Sequence, residues 1–302
     1  MGAWSLSEKV ILITGGARGI GAATARELAR RGALPVLADL DADALARTAA
    51  GVSPAPLTIE LDVTDLQACE AAVERVLAKH GRLDVVWANA GIGSGGPVHL
   101  TDPAAWRRTI EVNLVGAYYT VRAALPAVIA QRGYVAVTAS LASFAHSPQM
   151  SAYCATKAGV EAMCNSLRTE MAHHGVDVAS IHPSWIDTDL VREGDESRAF
   201  TLLRGALRPP FKKTYPVERA VKDIVAGFEQ RSRRICTPRF VYMAHALRSV
   251  LNTRAMERDQ LAVAPEMERA FEQELAERGL EGASISERAA RQLVHERDPA
   301  EV

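Results

Sequence analysis

Tyr153 and Lys157 stand four residues apart in the segment SAYCATKAG, among small neighbours. On a helix that spacing puts a phenol and an ammonium on one face, one turn apart. Such a pair also occurs on solvated helix surfaces, so alone it carries no chemistry. A second cluster adds to it. TGGARGIG, residues 14–21, follows a buried apolar run and opens a helical one. At a strand-to-helix turn, free N–H groups and the helix dipole favour an anion such as a pyrophosphate. Gly15, Gly19 and Gly21 permit close backbone approach. Asp39 closes the next apolar run, about 20 residues beyond the glycines, where a carboxylate would bond the adenosine ribose hydroxyls. A 2′-phosphate would meet like charge there, which favours NAD over NADP. Arg18 pulls the other way, as a cation able to pair with that phosphate. Asp39 could also cap the following helix, a task open equally to Asp41.

Positioning such groups requires a regular frame, and short apolar runs alternate with helical segments up to about residue 240. Strands are expected at 9–15, 35–40, 57–61, 83–91, 134–140, 176–183 and 233–238. Helices are expected at 17–32, 41–50, 65–81, from Asp102 and Pro103 onward, around Tyr153, and at 216–230. Asp102 is a capping type and Pro103 suits a first helical position. This alternation implies βαβ units, hence an α/β fold with a doubly wound parallel sheet. A ligand would then sit beyond the carboxyl ends of the strands.

Bulk properties agree with a folded soluble enzyme-sized chain. The 302 residues are 48% hydrophobic and 24% charged. A net charge of −1 argues against nucleic acid or an anionic membrane as main partner. The apolar run 112–130 contains Asn113, Arg122 and Pro126, so a buried amphipathic helix is expected rather than a stable membrane span. Four cysteines without paired metal spacing read as reduced thiols, and with no leader apparent before the first strand the expected location is cytoplasmic.

With these residues in hand, the chain resembles the short-chain dehydrogenase/reductase family over roughly residues 8 to 240. The TGxxxGxG motif falls on Thr14, Gly15, Gly19 and Gly21, the NAG motif on Asn89, Ala90 and Gly91, and YxxxK on Tyr153 and Lys157. The resemblance implies a Rossmann-like single domain, 1–240, with a helical C-terminal extension, 241–302. It implies a catalytic set of Asn113, Ser140, Tyr153 and Lys157. Tyr153 would exchange a proton with the substrate oxygen and Ser140 would orient that oxygen. Lys157 would lower the phenol's pKa and bond the nicotinamide ribose, and Asn113 would hold a water linking Lys157 to solvent. Asp62 would contact adenine. Arg18, Ile20, Val63, Pro183, Ser184, Ile186 and Thr188 complete the expected cofactor contacts. A homodimer or homotetramer through the helices near 102–131 and 151–174 is also implied.

One departure is visible. Pro183 is followed by Ser184 where the family commonly has glycine, which leaves the local backbone open. Substrate contacts are expected from 91–96, 141–150 and a possible lid at 190–210. In the extension, Phe240, Met243, Leu247, Val250 and Leu251 form one helical stripe, expected mainly to pack on the chain's own core. The later segment EMERAFEQELAERG reads as a charged helix with few apolar anchors. The expected activity is NAD(H)-linked interconversion of a secondary alcohol and a ketone. A non-catalytic NAD(H)-binding redox sensor or structural subunit, or an epimerase or dehydratase, stands as the alternative.

Overall fold

The computed structural model describes residues 4–285. Seven strands form one sheet: β1 (Val10–Thr14), β2 (Leu34–Asp39), β3 (Leu57–Glu60), β4 (Val85–Ala88), β5 (Tyr134–Thr138), β6 (Asp177–Pro183) and β7 (Arg234–Thr237). Their order is β3-β2-β1-β4-β5-β6-β7, and every neighbouring pair is parallel. The chain winds outward from β1 in one direction and then from β4 in the other. The crevice therefore opens above the carboxyl ends of β1 and β4.

Alternating residues of the central strands feed two cores. Leu12, Val86 and Val135 face one side, against α3 (Leu66–His80), α5 (Gly116–Ala130) and α6 (Ser151–Met171). Ile11, Ile13, Trp87 and Tyr134 face the other, against α1 (Gly19–Arg30) and α9 (Val217–Glu229). Burial on both faces explains why these strands read as unbroken apolar runs. The short α2 (Ala42–Ala49) follows β2.

Asp102 accepts from the Ala104 N–H and Pro103 opens α4 (Pro103–Ile110), as its sequence predicts. The helix then passes through one π turn, Glu111–Val115, before continuing as α5. Pro103–Ala130 has the length and apolarity of a membrane span, and 44% of its most apolar stretch is buried inside the protein. At Gly159 an added Cβ would lie 3.1 Å from Leu114, so its absence lets α6 pack closely on the π turn.

Beyond β6 come α7 (Asp189–Asp195) and α8 (Arg198–Ala206), in the segment expected to be a lid. After β7, the extension forms α10 (Phe240–Ala246), α11 (Arg248–Leu251) and α12 (Arg254–Ser284). Its part beyond Ile285 lies outside the described residues. The expected single inward stripe splits in two. Phe240 and Leu251 pack with Leu141, Phe144 and Val241, whereas Met243, Leu247 and Val250 are 61%, 51% and 49% exposed. The break between α10 and α11 and the small Ala244 let Val241 and Ala244 take the inward positions instead. The later segment is helical, and its few apolar anchors, Met267, Ala270 and Phe271, are buried with Glu274 against a surface that includes α8.

Candidate active site

The glycine turn follows directly from β1. Gly15 has φ +64°, and a Cβ there would meet the Ala90 Cα at 2.8 Å, so only glycine fits between the two strand ends. Gly21 lies beneath it, against the Gly15 carbonyl and the Asn89 amide. The Asn89 Nδ2 donates to the Thr14 and Gly15 carbonyls, both at 3.1 Å, and its Oδ1 accepts from the Thr138 hydroxyl at 3.0 Å. Thr138 in turn accepts from Trp87 Nε1 at 2.9 Å. The Asn89 side chain thus stitches β1, β4 and β5 together, and it is the backbone of Ala90 and Gly91 that stays open to the cleft.

Asp39 ends β2 with its carboxylate held by two backbone amides, Ala17 at 3.1 Å and Asp41 at 3.2 Å. Asp41, rather than Asp39, caps α2 through the Ala44 N–H at 2.8 Å. Arg18 pairs with Asp41. Asp62 accepts from the Thr64 N–H and hydroxyl and from Arg108 at 3.2 Å. Burial pushes its carboxyl up, but those bonds and the guanidinium outweigh it and hold the pKa below the usual value. Arg108, 1% exposed, was missed by sequence reasoning. Its signal was weak: of two adjacent arginines, it is the one that shares the inward face of α4 with Ala105 and Thr109.

Tyr153 and Lys157 occupy the first two turns of α6, as their spacing predicts. The Lys157 Nζ donates to the Thr138 carbonyl at 2.9 Å and lies 5.5 Å from the Tyr153 ring centroid. Burial pulls the ammonium down to about 8. Burial also pushes the Tyr153 phenol up to about 12, and the hydrogen-bonded Ser140 hydroxyl only partly offsets this. Loss of solvation is the largest influence on the phenol, and the Ser140 hydroxyl, not the ammonium, is what opposes it.

Ser140 starts a short 3₁₀ turn, Leu141–Ser143, and its Oγ accepts from the Ala142 N–H at 3.1 Å. Ser143 locks that turn onto α6 by accepting from the Ser140 N–H and donating to the Lys157 carbonyl at 2.9 Å. Behind it, His182 is fully buried and lies 3.0 Å from both the Ser140 carbonyl and the Ser180 hydroxyl. Burial pulls its pKa down to about 4, so it is neutral. Since a carbonyl can only accept, Nδ1 carries the proton and Nε2 accepts from Ser180. Nothing in the sequence around "SIHPS" announces this strut. Asn113, in the π turn, is committed to the loop after β4: its Oδ1 accepts from the Ile92 N–H at 2.8 Å and its Nδ2 donates to the Ile92 carbonyl at 2.9 Å.

Every residue the sequence singled out for catalysis or cofactor binding, except Gly21 and Asn113, lines one cleft of about 1120 Å³. Gly21 lies under the glycine turn and Asn113 behind Ile92. Ser184 adopts ordinary backbone, since the left-handed non-glycine residues among those described are Glu8, Arg132, Gln149 and Arg231. Its N–H donates to the Thr237 carbonyl at 2.8 Å. The Pro-Ser departure therefore leaves the local backbone unstrained. Ser184 Oγ and Trp185 Nε1 are buried in the cleft wall with no protein partner, as groups awaiting a polar ligand would be. A side-chain-free cradle at one end and unpaired donors at the other fit a bound dinucleotide. Thr188, where the resemblance implies a nicotinamide contact, follows on the same wall.

The chain is similar to known proteins in sequence and in fold. The short chain dehydrogenase family model matches residues 9–199. The chain is 39% identical over 191 residues to the cis-4-hydroxycyclohexanecarboxylate dehydrogenase of Sinomonas cyclohexanicum, covering 62% of this chain and 77% of that protein. It is 36% identical over 211 residues to the (-)-trans-carveol dehydrogenase of Rhodococcus erythropolis, covering 64% and 76%. The fold superimposes on the 3-ketoacyl-(acyl-carrier-protein) reductase from Brucella melitensis complexed with NADH, with a TM-score of 0.70, 26% identity, and coverage of 77% of this chain and 98% of that one. A glycine turn after β1, an NAG loop after β4 and a Tyr-Lys pair on α6, in one cleft and within one family match, make this chain a member of the short-chain dehydrogenase/reductase family.

Proposed function

We propose that the protein interconverts a secondary alcohol and a ketone with NAD(H), using Tyr153 as the proton-exchanging group. One observation carries the reading: Tyr153, Ser140 and Lys157 meet in the same cleft as the glycine turn and Asp39. Bound there, the nicotinamide would supply or accept the hydride. Ser140 would orient the substrate oxygen against the phenol, with His182 holding the serine's turn in place. Lys157 would bond the nicotinamide ribose from its position beside Thr138. Asn113 would keep the Ile92 loop fixed beneath that ribose, and Ser184 and Thr188 would meet the carboxamide.

NAD over NADP is supported by Asp39, whose carboxylate is fixed by backbone N–H groups at the strand end, and by Arg18, which is already paired with Asp41. A 2′-phosphate would meet the first and find the second neutralised. The relatives' names point to cyclic alcohols as the substrate class. We read 1–240 as the cofactor-binding catalytic domain and 241–302 as an addition to it. Association into a homodimer or homotetramer through α4, α5 and α6 would cover Trp106 and Tyr118, which stand exposed.

The test is to follow nicotinamide reduction with NAD and with NADP across a panel of cyclic and linear secondary alcohols, wild type beside Tyr153→Phe. NAD-linked turnover abolished in the variant is the expected result. Turnover that survives the substitution would remove Tyr153 from its role. Binding of NADH without turnover of any alcohol or ketone would favour the sensor reading.

A further inference from the structure

The family match ends at residue 199, yet the cleft does not. Leu251, Met256, Phe271 and Ile285, all from the extension, line the same cavity as Tyr153. They are joined there by Leu207 and Phe211 from the segment after α8. The substrate end thus gains an apolar patch from these six residues, rimmed by the charged and polar Glu193, Arg208, Asp259, Gln260 and Arg278.

This wall is fastened at four places. At the far end of α12 the chain returns to the loop after β4: the Gly95 N–H donates to the Ser284 carbonyl and the Asp102 N–H to the Ser284 hydroxyl, both at 2.9 Å. Ser94 and Ile285 form an antiparallel bridge there, and Ile285 joins the core beside Ile92. Phe271 closes over Gly96, which has φ +130° and where a Cβ would stand 2.5 Å from the ring. Glu274, 4% exposed, receives the Arg198 N–H at 2.5 Å, the Ala199 N–H at 3.2 Å and the Ser197 hydroxyl at 3.0 Å. It thereby satisfies the free amides that begin α8 and opposes its dipole. Arg208 forms a two-pronged pair with Asp259, at 2.5 and 3.0 Å. The lid helix is therefore tied to the extension, and the two present one surface to the substrate.

We propose that residues 251–285 form a specificity-determining wall that completes the substrate chamber and selects secondary alcohols with a bulky apolar skeleton. The proposal rests on the oxidoreductase reading, because Tyr153 fixes where the hydroxyl lies. Met256 is the residue to change. It lines the cavity, is 46% exposed, and packs loosely enough to be replaced without loss of the fold.

The experiment compares kcat/KM for menthol and for 2-butanol in wild type, Met256→Trp and Met256→Ala. In parallel, binding of 1-anilinonaphthalene-8-sulfonate to the NADH-loaded protein is displaced with menthol. Wild type prefers menthol, and Met256→Trp lowers the menthol-to-butanol ratio about tenfold and weakens menthol's displacement of the dye. A ratio and a displacement curve that neither substitution moves would overturn the wall while leaving alcohol turnover, and hence the enzyme reading, in place. If wild type oxidised neither alcohol but menthol still displaced the dye in a Met256-dependent way, the wall would stand and the dehydrogenase reading would fall.

Discussion

The cleft has a floor and a wall, and they are built differently. The floor stands on strand ends, where each functional group is held by short bonds to a neighbouring strand: Asn89 across β1 and β5, Lys157 on Thr138, His182 under Ser140. The wall is made of helices packed on helices, with half-exposed apolar side chains and the Arg208–Asp259 pair near solvent. A strand end tolerates little displacement, because moving one residue breaks bonds in two neighbours. A helical wall accommodates changes in side-chain bulk without touching those bonds. On the proposed reading, chemistry sits on the part that does not adjust, and substrate choice on the part that does.

The sharpest way to break this contrast is Tyr153→Phe. The expected outcome is a loss of kcat of at least about 10²–10⁴-fold with NADH affinity retained, measured by steady-state kinetics and nicotinamide fluorescence. If NADH affinity fell as well, the tyrosine would be holding the cleft together rather than moving a proton. Asp39→Ala comes next. The NAD-to-NADP ratio of kcat/KM should fall about 10–100-fold, since the like charge facing a 2′-phosphate is gone. An unchanged ratio would move cofactor choice elsewhere.

The raised phenol makes a pH prediction. With its pKa at about 12, Tyr153 is protonated at neutral pH and ready to donate to a ketone. Below that value the phenolate fraction grows about tenfold per pH unit, so alcohol oxidation should climb between pH 7 and 10, while ketone reduction should fall above pH 8 as Lys157 loses its proton. A level profile for oxidation would place the proton acceptor on another group.

Lys157 tests the floor's cost in stability. Its folded pKa is about 8 against an ordinary 10.5. Below pH 8 both folded and unfolded chains hold the proton, and the desolvation penalty is present in full. Between 8 and 10.5 the unfolded chain holds more protons, so stability rises with pH across that window. Lys157→Met should abolish turnover, add about 1–3 kcal/mol to stability at pH 7, and flatten that rise in urea titrations. Lower stability in the variant would mean that the bond to Thr138 outweighs the desolvation.

The smallest effect is expected at the wall. Glu274→Gln keeps the shape but removes the charge opposing the start of α8, and should cost about 1–2 kcal/mol with kcat lowered less than tenfold. A collapse of kcat comparable to Tyr153→Phe would erase the distinction between floor and wall.

Sequence reading reached those parts of the floor that sit at fixed offsets from local signals, but not His182 or Arg108. The glycines follow a strand, Asp39 ends the next, and Asp102 and Pro103 mark the helix that leads to Asn113. Where a side chain's partner lies far along the chain, the sequence is silent. Ser284 returns to Asp102 across 182 positions and Glu274 reaches Ser197 across 77, and no local pattern encodes either pairing. The stripe in 240–251 misled for a related reason. Periodicity identifies a shared face, but a break after Ala246 divided that face between core and surface. The phenol's pKa escaped too, since burial is a property of everything packed around Tyr153.

The π turn at Glu111–Val115 has a geometric consequence of its own. One turn there holds an extra residue, and each residue of an α-helix advances the azimuth by about 100°. The helical stretch from Pro103 to Ala130 is therefore out of phase with itself. Trp106 before the turn and Tyr118 after it are aimed by different clocks. Deleting a single residue from that turn would rotate everything upstream of it by roughly a quarter turn, swinging Arg108 away from Asp62.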